Sequence, residues 1–410
     1  MNPPHTNWAG NVVFAAERLE EPGSVQELCA VVKAAARAKA IGSRHSFSSV
    51  IDTDGVLIST ERLTAIELEK TSGQVRVGAG VRYGDLLPVL RSEGRTLTNL
   101  ASLPHITVVG AAATATHGSG AHHQCLASSV LALELVLADG SAITVDRNDP
   151  RFNGGVVGLG ALGVVSSLTL ATVDDFSIAQ WVFEDLPWSA VEGSLLQLLD
   201  LGYSASLFLS WTGEAVEELL IKTTEQVAPE APGRPARSTR HPVPGADPRH
   251  CTPQLGVLGP AGDRLPHFLY GGVPSAGAEL QSEWMVESCH APEAFRALRL
   301  IGPEIAAALF VSEIRTVAAD EFWLSPFCGR DSVAFHFTWK PTDAAWPAIA
   351  RVESVLRDFD ARPHWGKLFS PDPALLQDLY PRYDDFRRLR RDLDPSGKFV
   401  NSFLTAVGLT

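Results

Sequence analysis

Between residues 332 and 339, apolar Phe335, Phe337 and Trp339 alternate with polar His336 and Thr338. Successive side chains of a strand point to opposite faces, so the pattern predicts a strand with one aromatic and one polar face. Residues 308–317 repeat it, with Glu313, Arg315 and Val317 on one face and Ser312, Ile314 and Thr316 on the other. An aromatic face that heavy belongs in a core. The opposite faces then build either a polar wall or a solvated sheet surface with an ordinary Glu–Arg pair.

The rest of the chain reads as short elements. Strands are predicted at 55–59, 74–77 and 164–170. Residues 131–138 and 142–145 form a hairpin around Asp139-Gly140. Ser24 and Glu27 make a capping box for a helix whose helix-forming run extends to Ala40. Further helices are predicted at 83–93, stopped by Gly94, at 343–359 and at 383–393. The last ends at the turn Asp394-Pro395-Ser396-Gly397-Lys398. The first 175 residues therefore read as α+β without regular βαβ repetition. From about Asp175 the composition shifts, with Trp181, Trp188 and Trp211 appearing. Residues 227–249 are proline-rich and read as a long loop within a second domain, or as a linker between domains.

A chain of 410 residues exceeds the usual span of one core, which predicts two domains. The formal net charge of −13 disfavours nucleic acid and anionic membrane surfaces as partners. Cys29, Cys125, Cys251, Cys289 and Cys328 are scattered without a CxxC pair, as expected of reduced thiols in a cytosolic protein. Met1-Asn2-Pro3-Pro4-His5 lacks the basic and apolar regions of a secretory signal. No apolar run approaches the roughly 20 residues that span a bilayer.

Candidate chemistry concentrates in two glycine-punctuated segments, Gly42-Ser43-Arg44-His45-Ser46-Phe47 and the stretch from Gly110 to Gly120. Small side chains let backbone N–H groups approach a bulky anion such as a pyrophosphate. Gly158, Gly160 and Gly163 match GxGxxG, but a Rossmann site needs a helix after the glycines. Here Val164-Val165 follows, predicting a strand, although the glycines can still admit a cofactor in another fold. His105, His117, His122 and His123 lack zinc-ligand spacing, so no metal is expected. Ser102 lies close to His105 without a GxSxG elbow. Lys367, in Pro363-His364-Trp365-Gly366-Lys367, is by itself an ordinary lysine beside an aromatic.

Taken in order, these segments resemble the alditol (xylitol) oxidases of the vanillyl-alcohol-oxidase flavoprotein superfamily. The resemblance runs from Thr6-Asn7-Trp8-Ala9-Gly10 through Gly42–Phe47, Ala101–His105 and Ala115–Gly120. It continues through Leu265–Phe268, Glu279–Glu283, Glu313–Asp320, His336–Trp339, Arg362–Lys367 and Asp394–Asn401. It implies an α+β, two-domain fold, with a PCMH-type FAD-binding domain over residues 1–177. A cap domain with an antiparallel sheet spans 178–375, and residues 376–410 return to the first domain. It implies FAD linked through its 8α carbon to His45. A second, cysteinyl link found in related proteins has no counterpart near His105 or Ile106.

The residues carried over for the cofactor are Ile41, Gly42, Ser43, Arg44, His45 and Ser46, then Ser102 and His105. Gly110, Ala113, Thr114, Thr116, His117, Gly118 and Ser119 follow, with Gly160, Gly163, Val164, Val165, His364 and Asn401. Where many relatives have glycine before the histidine, this chain has Arg44. The implied reaction oxidises a terminal CH2OH of a linear polyol such as xylitol or sorbitol, with hydride passing to flavin N5 and O2 becoming H2O2. His336 matches the base position, and Arg315 and Lys367 match positions near the reacting hydroxyl. Ser102, Glu313, Thr338 and Gln281 match positions that grip the polyol, which offers only hydrogen bonds for recognition. Ala101 stands where a small residue gates oxygen, so a lactone dehydrogenase stays open as an alternative. A nicotinamide-dependent dehydrogenase and a non-enzymatic carbohydrate-binding protein are the other readings. The family expectation is a cytoplasmic monomer.

Overall fold

The computed structural model describes residues 6–69, 71–273 and 275–410. The N-terminal segment Met1–His5, read above for a signal, lies outside the described residues. Ser24 caps the first helix, Val25–Ala34, by accepting from the Glu27 backbone N–H, while Glu27 accepts from the Gly23 N–H. The helix-forming run does not continue to Ala40. Residues Ala38–Ile41 form a strand instead, pairing in parallel with Val56–Ser59, which also pairs with Arg18–Glu20. Burial of Ala38 and Ile41 against that sheet overrides local helix propensity.

A five-stranded antiparallel sheet follows, in spatial order Ile66–Glu69, Gln74–Gly78, Val164–Ala171, Val130–Val136, Ala142–Asp146. It contains the expected Asp139-Gly140 hairpin, with Val136 opposite Ala142. The GxGxxG glycines lead into its Val164–Ala171 strand and not into a helix. Their role is that of a loop.

Residues from Ser177 onward build the largest sheet, nine-stranded among the described residues and antiparallel throughout. Its centre runs Ser204–Leu209, Leu309–Val317, Ser332–Trp339, Leu280–Glu287. Phe335, Phe337 and Trp339 are fully buried on the back face, under the helices Ala291–Ile305 and Ala345–Leu356. The front face turns towards the first lobe, where Ala334, Met285 and Val317 join a second core. The C-terminal helices Pro373–Leu379, Tyr383–Leu393 and Ser402–Ala406 pack into that same core, as do Phe322, Phe327 and Trp365. Within the proline-rich loop, Arg234–Pro235 pairs with Ser177–Pro187 and forms the edge of the sheet there. The loop is therefore attached to the large sheet and does not bridge the lobes. All five cysteines are free. Among the described residues no helix is long and apolar enough to cross a membrane.

Candidate active site

Between the two cores runs one long cavity with about 1780 Å³ of unfilled space, part of it open to solvent. One end is walled by the two small-residue segments. Ile41, Gly42, Ser43, Arg44, His45 and Ser46 line it on one side. Gly110, Ala113, Thr114, Thr116 and His117 come from the second segment, Gly160 and Gly163 from the glycine loop, and Val165 from the strand that follows it. The glycines are needed for close approach. A Cβ on Gly110 would stand 2.8 Å from Thr107 Oγ1, and one on Gly42 would collide with the same side chain. Gly160 adopts φ +61°, a left-handed backbone that favours glycine. Arg44 adopts the same region at φ +61°, so the non-glycine residue before His45 takes up a glycine-type conformation.

His45 stacks on Trp8, with ring centroids 4.9 Å apart. Burial, with the nearby His105, Arg82 and Arg44, pulls its pKa down to about 4, so the imidazole is neutral with a free lone pair at physiological pH. Beneath the glycine loop lies Lys39, only 1% exposed. Its Nζ donates to the carbonyls of Leu159 (3.1 Å) and Gly160 (3.0 Å). Burial lowers its pKa to about 7, against the opposing pull of Asp394.

The other end is a buried charge cluster on the front face of the large sheet. Pairing register puts Glu283 opposite His336 and His336 opposite Glu313, on three adjacent strands. Glu283 is 1% exposed and sits at the centre. Its Oε1 accepts from Arg315 Nη2 at 2.6 Å and its Oε2 from Lys367 Nζ at 2.7 Å. His117 Nε2 lies 3.3 Å from Oε1. Burial alone would push the Glu283 carboxyl up, but Lys367, His117 and Arg315 outweigh it and hold it well below the usual carboxylate range. Lys367 Nζ also meets His336 Nδ1 at 2.8 Å, and His336 Nε2 meets Thr338 Oγ1 at 3.1 Å. An ammonium only donates, so Nδ1 accepts and the neutral imidazole carries its proton on Nε2, towards Thr338. Burial first, then the Lys367 charge, holds the His336 pKa well below that of an ordinary histidine.

Arg315 Nη1 reaches Ser102 Oγ at 3.4 Å, tying the sheet to the opposite wall. Its Nε and Glu313 Oε1 are buried without hydrogen-bond partners, 3.6 Å from each other. Ser102, Gln281, Glu283, Arg315, His336 and Lys367 all line the cavity, as do Ala101 and His364.

Several sequence candidates lie off the cavity wall. Glu313 faces His267 (3.8 Å) and Arg315 on the same sheet face as His336, and Thr338 meets His336, but neither Glu313 nor Thr338 lines the cavity. His105 points to the surface loop, its Nε2 accepting from the Gly271 N–H at 3.3 Å. Ser119 hydrogen-bonds to the Ala205 carbonyl, and Gly118 packs on Leu100 and Asn99. Val164 is buried in a core of the first lobe together with Leu28, Val32, Val56 and Val136. Asn401 spends its side chain on the carbonyls of Ser49, Val50 and Asp52 and on capping the last helix. These positions support the walls without forming them.

Three residues that sequence reasoning gave no role belong to the site: Trp8, Lys39 and Glu283. For Glu283 a signal existed, since Gln281 and Glu283 alternate with Leu280, Ser282 and Trp284 along one strand. Lys39 sits inside a run that reads as helix, and nothing local marks it.

Residues 278–407 match the D-arabinono-1,4-lactone oxidase family and residues 16–146 match the FAD binding domain family. An alditol oxidase of a Streptomyces species is 46% identical to this chain over 97% of each. An L-gulono-1,4-lactone dehydrogenase of Mycobacterium tuberculosis is 29% identical over 99% of each. Among solved structures, a solvent-stable cholesterol oxidase superposes with a TM-score of 0.79 at 17% identity, covering 98% of this chain and 97% of its own. A xylooligosaccharide oxidase from Myceliophthora thermophila in complex with xylobiose superposes with a TM-score of 0.73 at 16% identity, covering 97% and 93%. At those identities the likeness concerns the fold.

Proposed function

The chain belongs to the alditol oxidase family of vanillyl-alcohol-oxidase-type flavoproteins, and from that premise we propose that it oxidises the terminal CH2OH of a linear polyol to the aldehyde. The small-residue walls and the bare glycine loop fit a dinucleotide, and the neutral His45 fits an 8α-N-histidyl link to FAD. Residues 1–177 and 376–410 hold the cofactor in this reading, and residues 178–375 cover its reactive end. FAD, when bound, supplies the hydride acceptor and the route of electrons to O2, with hydrogen peroxide as product.

The observation that carries the reading is the buried cluster of Arg315, Lys367 and His336 around Glu283. Loss of hydride from an alcohol carbon requires the hydroxyl proton to leave too. Arg315 puts positive charge where alkoxide character develops, in a water-poor site where it counts most. The Nδ1 lone pair of His336 is already taken by Lys367, so the imidazole does not act as base by itself. The Lys367–His336 pair takes the proton as a unit. Ser102 and Gln281 offer hydrogen bonds to the remaining hydroxyls, and Glu313 and Thr338 flank Arg315 and His336 on the same sheet face.

Adding xylitol under anaerobic conditions tests the reading. The flavin band near about 450 nm is expected to bleach, and air is expected to restore it with release of peroxide. A yellow protein that polyols leave unbleached would remove the proposal. Bleaching without peroxide would place the protein with the dehydrogenases.

A further inference from the structure

Glu283 pairs with Arg315 and with Lys367 through separate oxygens. It is buried beside two cations, and its strand neighbours Leu280 and Trp284 already anchor the strand in the back core. Its backbone carbonyl accepts from the His364 N–H at 3.0 Å, while its side chain grips Lys367 three residues on. One residue therefore fixes both the segment that carries the lysine and the lysine's nitrogen.

Building on the polyol-oxidase reading above, we propose that Glu283 is a positioning residue that aims the Lys367 amine at the substrate hydroxyl and sets the charge on that amine. A tetrahedral lysine nitrogen has three directions besides its own chain. Glu283 Oε2 occupies one at 2.7 Å and His336 Nδ1 a second at 2.8 Å. Lys367 lines the cavity, so the third is the direction left for a ligand. In its neutral form the amine gives its two N–H bonds to those partners and presents its lone pair along the third. The proton of the substrate hydroxyl then passes to Lys367 Nζ as the hydride leaves the carbon. The neutral amine is restored when the proton moves on to solvent.

The groups around the amine come from every wall. They are Glu283 and, beyond it, Arg315 and Glu313 from the sheet, His336 from the next strand, His364 from its own segment and His117 from the opposite lobe. Burial lowers the Lys367 pKa, Glu283 pulls it back up, and Arg315 lowers it again. Removing the Glu283 charge must therefore favour the neutral amine. An opposite charge at such range moves a pKa by about 1–3 units.

The test is a pH titration of the holoenzyme carrying [13Cε]lysine, followed by NMR, with the Lys367 resonance assigned by its absence in Lys367→Arg. In Glu283→Gln its midpoint is expected to fall by about 1–3 pH units. The rising limb of the anaerobic flavin-reduction rate with xylitol is expected to move to lower pH by the same amount. Should Glu283→Gln not fold, Glu283→Asp decides, since it keeps the charge at a longer reach and is expected to lower the midpoint by a smaller step. A midpoint that stays in place or rises overturns the proposal. The NMR midpoint needs no turnover, so a protein that oxidises no polyol leaves this result readable and sinks only the reading on which it rests.

Discussion

The indole of Trp8 lies over the imidazole of His45 with 30° between the ring planes, although 36 other residues separate them in the chain. Asn7 locks this arrangement by donating to the Ser46 carbonyl at 2.8 Å, and the Trp8 N–H donates to the Arg44 carbonyl at 2.9 Å. The N-terminal segment is thus a clamp on the loop that carries His45, and the strained Arg44 conformation is held from outside.

If that clamp orients the imidazole for attachment, Trp8→Ala lowers the fraction of flavin bound covalently, and His45→Ala abolishes it. Acid-denatured protein run on a gel reads this directly as flavin fluorescence on the polypeptide. A ring pair of this kind contributes about 0.5–1.5 kcal/mol, so Trp8→Ala is expected to fold. Undiminished fluorescence in His45→Ala would show that attachment lies elsewhere.

Lys39 predicts a coupled loss of stability and cofactor retention. Lys39→Met strips the donor from the Leu159 and Gly160 carbonyls, and each buried acceptor left bare costs about 1–3 kcal/mol. Urea unfolding is expected to show the loss, and gel filtration of the undenatured protein a lower flavin-to-protein ratio. Unchanged values for both would mean that the loop holds its shape without the lysine.

Mild acid is expected to weaken the protein. Burial is the chief cause that holds His117, His267, His336 and His364 below the ordinary histidine range. Their unfolded counterparts take up protons near pH 6.5 while the folded forms do not. The unfolded state thus binds more protons as pH falls, and stability present above about 6.5 is lost progressively below it. In flavin-free protein His45 extends the window down to about 4. A thermal midpoint that is flat between about pH 7 and pH 5 would contradict this assignment.

Arg315 spans two walls through separate nitrogens, one on Glu283 and one on Ser102. Lysine has a single nitrogen and reaches only one. Arg315→Lys is expected to lower kcat/KM for xylitol by about 10²–10³, the usual cost of removing a donor from developing negative charge. Steady-state kinetics with unchanged thermal stability would support the role, and a change below about threefold would remove it.

Much of the site is legible in the sequence. His336 and Thr338 oppose Phe335, Phe337 and Trp339 because strand periodicity alone decides it. The glycine loop before Val164 was readable as something other than a Rossmann turn, because β-branched residues follow it. Asn401, Ser119 and Val164 were carried over with the cofactor residues, yet their side chains serve the scaffold. Their motif identity says where they stand in the chain and not which way they face.

Local order along the chain determined the alternation of strand faces, the capped first helix, the Asp139-Gly140 hairpin and the loops too small to fill a cofactor's space. These follow from side-chain geometry within a few residues. Tertiary structure alone decided that Lys39 sits under Gly160, that Trp8 covers His45, and that Glu283 joins Arg315, Lys367 and His117. Each of those contacts joins segments distant in sequence. The energy of a buried charge depends on which partners the fold brings to it, and no local pattern records that.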